Sequence, residues 1–230
     1  LVLALALQAG VKMYTLKSPD GKVKLEVTAG QGIAYSLFYD GRLLLKPSRI
    51  ALHTDLPEAD HWENIRITGT KQRHVSETVQ APFYRVKEFG IDCNELELRL
   101  NNGFSLLMRA YNDGMAYRFV AGRKGEMTVV EERAEFNFAD DFEAYIPYST
   151  NPKDPWNMAF QNFYTKAPLT QYNTELPAFL PLTVDAGAVK LTLLESDLEA
   201  YPGMFVRGDG KTPALKGVFA AYPQETFKNK

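Results

Sequence analysis

Lys22-Val23-Lys24-Leu25-Glu26-Val27 alternates polar and apolar residues without a break, and that period of two recurs from Tyr14 towards the C-terminus. Side chains of an extended chain point alternately to opposite faces, so such a segment reads as a strand with one covered face. Turn chemistry punctuates the alternation at Ser18-Pro19-Asp20-Gly21, Asp40-Gly41, Asn101-Asn102-Gly103, Asn112-Asp113-Gly114 and Asp209-Gly210. Between these turns the pattern predicts strands over 14–17, 22–27, 33–39 and 42–46, and a short one that starts beyond Pro47-Ser48 and ends at Thr54. Further strands are predicted over 65–68, 75–79, 84–89, 95–100, 104–111, 128–138 and 142–148, with a last group at 178–184, 189–194, 204–207 and 216–221. No segment carries a convincing amphipathic helix. Many strands without helices leave two packed sheets or a closed barrel, and long hairpin series in 230 residues favour an all-β fold, a large antiparallel β-sandwich.

Apolar residues make up 45% of the chain, with 14 Phe and 12 Tyr, enough for a core that needs neither metal nor disulfides. A net charge of -2 gives no general attraction to nucleic acid or to an anionic membrane. Cys93 is the single cysteine, which excludes an internal disulfide and a thiolate metal cluster. No composition shift marks a second domain, so 10–230 is read as one β domain. Residues 1–9 read as the remnant of a secretory signal peptide, with the apolar run Leu1 to Leu7 before Gln8-Ala9-Gly10; the run is too short to span a bilayer as a helix. A periplasmic or secreted location follows from that reading, an edge strand being the alternative.

Known catalytic motifs are mostly absent: there is no phosphate-binding glycine loop, and His53, His61 and His74 lack metal-ligand spacing. Asp113 reads as a turn residue. Ser149 to Pro177 is the least regular stretch, with Pro152, Pro155 and Pro168, and reads as a long excursion holding one short strand near Phe160 to Tyr164. Trp156, Phe163 and Tyr164 in it are candidates for stacking on a sugar, against the alternative that they pin the loop to the body. The densest carboxylate group is Glu195, Ser196, Asp197 and Glu199, where a strand runs out before the stiff Tyr201-Pro202-Gly203 segment. Such an acidic corner binds a cation, pairs with a basic side chain, or faces water.

Ser18-Pro19-Asp20-Gly21, Tyr35-Ser36 with Tyr39-Asp40-Gly41, Pro47-Ser48, the run Ala110 to Phe119, and Glu195-Ser196-Asp197-Leu198 with Tyr201-Pro202-Gly203-Met204 together resemble the N-terminal domain of glycoside hydrolase family 97. The resemblance runs in order across nearly the whole chain. It implies a β-super-sandwich of the galactose mutarotase-like kind, followed in the family by a catalytic (β/α)8 barrel in the same polypeptide. It implies exo-acting α-glucosidase or α-galactosidase activity on α-linked oligosaccharides, with the catalytic carboxyl groups in the barrel and none carried by this chain. It places Glu195 as the ligand that this domain lends to a calcium ion shared with the barrel. A free-standing carbohydrate-binding module using Trp156 and a mutarotase-like isomerase are the competing readings.

Overall fold

In this computed structural model, residues 12–157, 160–198 and 201–221 are described. The reading of 1–9 as a leader remnant, and Glu199 of the acidic corner, lie outside them. The chain divides between Arg133 and Ala134 into two compact units.

In the first unit β1 (Lys12–Lys17), β2 (Val23–Gly30), β3 (Gly32–Tyr39) and β4 (Arg42–Thr54) are joined as consecutive antiparallel hairpins. β5 (Ile67–Gln80), β6 (Glu88–Leu100), β7 (Phe104–Tyr111) and β8 (Gly114–Ala121) form a second antiparallel sheet in that order. The alternation at Val23, Leu25, Val27 and Ala29 buries every second side chain of β2. β2 lies across β7, whose Phe104, Leu106, Met108 and Ala110 are buried in turn. Leu96, Leu98 and Leu100 of β6 complete the layer. Each such fully buried side chain contributes about 1.5–3 kcal/mol, so this apolar layer is what holds the two sheets face to face. Asp40 (φ 47°) and Gly41 (φ 78°) both adopt left-handed backbone, the mirror-image two-residue turn that matches strand twist.

Three expectations for this unit are corrected. Pro47-Ser48 does not end a strand: β4 runs through it, because the register with β3 shifts between Tyr35 and Leu37 and leaves Pro47 in an irregularity that needs no ladder N–H. The segments at 65–68 and 75–79 belong largely to one 14-residue strand, and 95–100 lies within one of 13, whereas the strand expected at 84–89 is mostly the hairpin tip, with only Glu88 and Phe89 in β6. The middle of β5, Gly69 to His74, has no apolar face, which hides its periodicity, yet the ladder continues unbroken from Gly69↔Arg99 to Gln80↔Glu88. The acidic loop after Thr54 contains a 3-10 turn, Trp62–Asn64, whose buried Trp62 donates Nε1–H to the Leu52 carbonyl at 3.0 Å.

β9 (Val129–Asn137) runs through the division. The second unit then contains β10 (Glu143–Ile146), β11 (Thr165–Pro168), β12 (Leu182–Asp185), β13 (Lys190–Leu193), β14 (Met204–Gly208) and β15 (Ala214–Phe219). One sheet has the order β11-β10-β12-β13. β15 pairs with β14 on one side and with Glu135, Phe136 and Asn137 of β9 on the other. The strand expected near Phe160 to Tyr164 forms later, at β11. Phe160 has φ 53°, which no strand accepts, and the Tyr148 carbonyl is taken by the Asn162 side chain at 2.8 Å in place of a ladder bond. The strand expected at 178–184 is likewise shorter, with Ala178 forming only isolated bridges.

Buried Tyr172 ties the second unit together. Its hydroxyl donates to the Val206 carbonyl at 2.8 Å, with the Leu176 carbonyl at 3.1 Å, and its ring lies where a Cβ on Gly208 would come within 2.7 Å. Burial pushes the Tyr172 hydroxyl far above its ordinary pKa, so it stays a donor. No helix among the described residues is long and apolar enough to cross a membrane.

Candidate functional site

β13 ends at Leu193, and β14 begins at Met204. Between them Glu195 turns inward: its side chain is half-buried, and Oε2 accepts the Met204 N–H at 2.8 Å. Burial pushes the Glu195 carboxyl above its usual range, the Met204 hydrogen bond only partly offsetting it. A carboxylate in this setting gains from any further positive charge that reaches it. Gly203 leaves room beside it, with Glu195 Oε2 and Leu198 Cδ1 standing 3.8 and 3.9 Å from where a Cβ would be. Asp197 takes a left-handed φ of 63°, and the Tyr201 ring packs edge-on to Phe219 at 5.9 Å. Glu195 is thus anchored to the first residue of β14. Leu194 and Leu198, on either side of Glu195, are exposed.

Trp156 meets the next residue of the same strand. Its ring stands perpendicular to Phe205, centroids 4.9 Å apart, and is partly exposed. Phe160 also leans on Phe205, at 5.9 Å. Consecutive residues at the start of β14 thus anchor both side chains singled out from sequence. Phe163 is 94% exposed, while the Tyr164 hydroxyl donates to the Pro181 carbonyl at 3.2 Å. In the first unit, His53 Nδ1 lies 2.7 Å from Asp60, and His74 pairs with Asp92 at 3.1 Å. No group of three or more His, Cys, Asp or Glu that could hold a metal occurs among the described residues.

A second polar site, not anticipated from sequence, lies on the first unit. Glu95 is buried, and its two oxygens accept Nε–H of Arg73 at 2.6 Å and Nε–H of Arg109 at 2.8 Å. The three residues stand directly opposite one another on β5, β6 and β7. Arg73 and Glu95 border a shallow hollow of about 340 Å³ with Lys71, Glu97, Ser105, Leu107 and Val120. Burial works to raise the Glu95 pKa, but the two guanidinium hydrogen bonds outweigh it and hold the carboxyl below its ordinary range. With both oxygens occupied by arginine, Glu95 is neither a free base nor a metal ligand.

A family model described as glycosyl-hydrolase 97 N-terminal matches residues 16–225. The chain belongs to glycoside hydrolase family 97, as its N-terminal domain. Within the family it is 39% identical to a retaining α-galactosidase of Bacteroides thetaiotaomicron over 231 residues, covering 97% of this chain and 34% of that enzyme. It is 26% identical to a probable retaining α-galactosidase of Streptomyces bingchenggensis over 158 residues, covering 67% of this chain and 24% of that protein. The chain therefore spans about a third of the first relative and about a quarter of the second. In fold it is similar to a family 97 enzyme from Pseudoalteromonas sp. strain K8 in complex with acarbose, with TM-score 0.74 and 18% identity over 90% of this chain and 32% of that one. It is also similar to a β-arabinopyranosidase, with TM-score 0.76 and 20% identity over 90% of this chain and 35% of that one. These likenesses bear out the all-β sandwich and the family resemblance read from the Asn-Asp-Gly hairpin and the Glu195 corner.

Proposed function

We propose that this family 97 domain works as the N-terminal part of an exported, exo-acting α-galactosidase, packs on a catalytic barrel, and presents Glu195 to a calcium ion that the barrel completes. The observation that carries the reading is the 39% identity to an α-galactosidase across 97% of this chain, which itself spans only 34% of that enzyme. Glycoside hydrolysis needs two carboxyl groups across the scissile bond, and in this reading both come from the barrel. Calcium takes six to eight oxygen ligands. Glu195 fits one place in such a shell: it is a hard oxygen donor, fixed by Met204 and short of positive charge. With no cluster of three or more candidate ligands among the described residues, this domain supplies a share of the shell only. The ion, when bound, supplies positive charge beside the sugar and ties the two domains together.

The test is a fusion of these 230 residues to the remaining two thirds of the Bacteroides thetaiotaomicron relative. The fusion is expected to hydrolyse an aryl α-galactoside, and Glu195→Gln to lower calcium affinity and turnover together. Unchanged values for both reject the assignment of Glu195.

The nearly bare Phe163 ring supports a second reading, a carbohydrate-binding module. That reading requires the isolated chain to bind α-linked galacto-oligosaccharides with a loss on Trp156→Ala, and a flat titration excludes it.

A further inference from the structure

The β5–β6 hairpin extends well beyond the sheet to which it belongs. β7 pairs with β6 only from Cys93 onwards, and β5 is an edge strand, so residues 76–92 form a two-stranded ribbon with no further sheet neighbour. Its two faces differ in chemistry. The face shared with the core side of the sheet carries polar cross-strand pairs: His74 with Asn94 and Asp92, and Gln80 Nε2 donating to Glu88 at 2.9 Å. The opposite face, shared with Glu95 and Arg109, pairs Val75 with Cys93, Glu77 with Ile91, and Val79 with Phe89. At the tip Phe83 is 97% exposed and Tyr84 69%, with Val86 beside them. Along the side of the sheet that turns away from the core, apolar side chains thus run outward for about 13 Å, at about 3.3 Å per residue, from buried Val75 and Cys93 to exposed Val79 and Phe89, with Phe83, Tyr84 and Val86 exposed at the tip beyond them.

A two-stranded ribbon is marginal in water by itself, and a contiguous exposed apolar strip marks a contact surface. We propose that this arm is a docking arm, whose apolar face lies on the catalytic domain that accompanies this domain in its relatives. The proposal rests on the functional reading above. The strip is long for a single sugar, which aromatic rings clasp locally, and suits a protein surface. A second copy fits it poorly: two-fold packing of the strip on itself would bring its central Glu77 against the Glu77 of the other copy, and like charges repel in a desolvated contact. A different surface avoids that clash and can offer Glu77 a cation. The relatives, about three times as long as this chain, contain such a surface in the same polypeptide.

Amide hydrogen exchange over residues 76–92 tests this, comparing the isolated 230-residue chain with the fusion to the catalytic two thirds of the Bacteroides thetaiotaomicron relative. Exchange is expected to slow at least tenfold in the fusion, and the triple variant Val79→Ser, Phe83→Ser, Phe89→Ser to lose that protection. Because the wild-type comparison needs no variant, failure of the triple variant to fold leaves the test intact. Equal exchange in an active fusion overturns the arm while leaving the functional reading in place. A fusion that is inactive and shows no new protection anywhere in these 230 residues overturns both. Protection in the isolated chain that grows with concentration, together with a doubled mass by light scattering, assigns the arm to a second copy and overturns the proposal. So does protection brought about by a millimolar α-linked galacto-oligosaccharide.

Discussion

Glu195 has a single backbone N–H, that of Met204, set against its burial, whereas Glu95 has two guanidinium groups. The two carboxyls shift in opposite directions, and their effects on stability have opposite signs. Glu195, raised above the ordinary 4.5, favours the folded state below that value and loses this contribution as pH rises through its folded pKa. At neutral pH its charge is a liability in the isolated chain. Glu195→Gln, whose amide oxygen keeps the Met204 bond, should therefore raise the urea midpoint at pH 7, with the gain disappearing below pH 4.5. Equal midpoints at both pH values would show that the carboxyl is fully hydrated. Glu95, lowered below 4.5, stabilises the fold above that value and loses the contribution as pH falls through its folded pKa. Glu95→Gln should cost about 1.5–3 kcal/mol at pH 7, read from denaturant unfolding, and progressively less towards pH 3.

Among the elements, β14 carries the greatest consequence, since Met204 anchors Glu195, Phe205 anchors Trp156, and Val206 and Gly208 meet Tyr172. Gly208→Ala would set a methyl group 2.7 Å from the Tyr172 ring, and overpacking of this kind costs about 1–3 kcal/mol. A drop in melting temperature on Gly208→Ala that largely disappears when the same change is made in a Tyr172→Ala background would attribute the cost to this contact; an unchanged melting temperature would show that the ring yields freely. Nothing in the sequence around β14 announces the contacts of Phe205, Val206 and Gly208, because they join residues more than thirty positions apart through a long loop. Turn and alternation were legible where one face is apolar, as in β2 and in the Asp40-Gly41 turn, which the structure reproduces. They failed at Pro47 and along Gly69 to His74, where a bulge and a strand with no apolar face leave no periodic trace. The Glu95 site was within reach: a turn at Asn101 to Gly103 sets Glu95 opposite Arg109 by counting outward along both strands. The third member, Arg73, depends on the β5–β6 register, which no tight turn announces. Glu195 stood out because carboxylates crowd at a strand end, but its contact with Met204 spans nine residues of irregular chain that alternation does not constrain.

For the molecule as a whole, the proposed function puts the two carboxyl groups of glycoside hydrolysis outside these 230 residues. The purified 230-residue chain should accordingly leave an aryl α-galactoside intact, as followed by release of the chromophore; turnover abolished by changing one of its own carboxylates would place the chemistry here instead. The Arg73, Glu95 and Arg109 alignment has a further consequence, for how the chain finds its pairing during folding. A slip of one residue in β6 would turn Glu95 towards the layer of Leu96, Leu98 and Leu100 and leave a charge without a partner in apolar surroundings. A slip of two would keep its face but move it out of line with both arginines. The long β5–β6 hairpin, whose polar middle does little to choose among alignments, thus carries its own electrostatic key, one that fits a single registration of three strands and penalises its near misses.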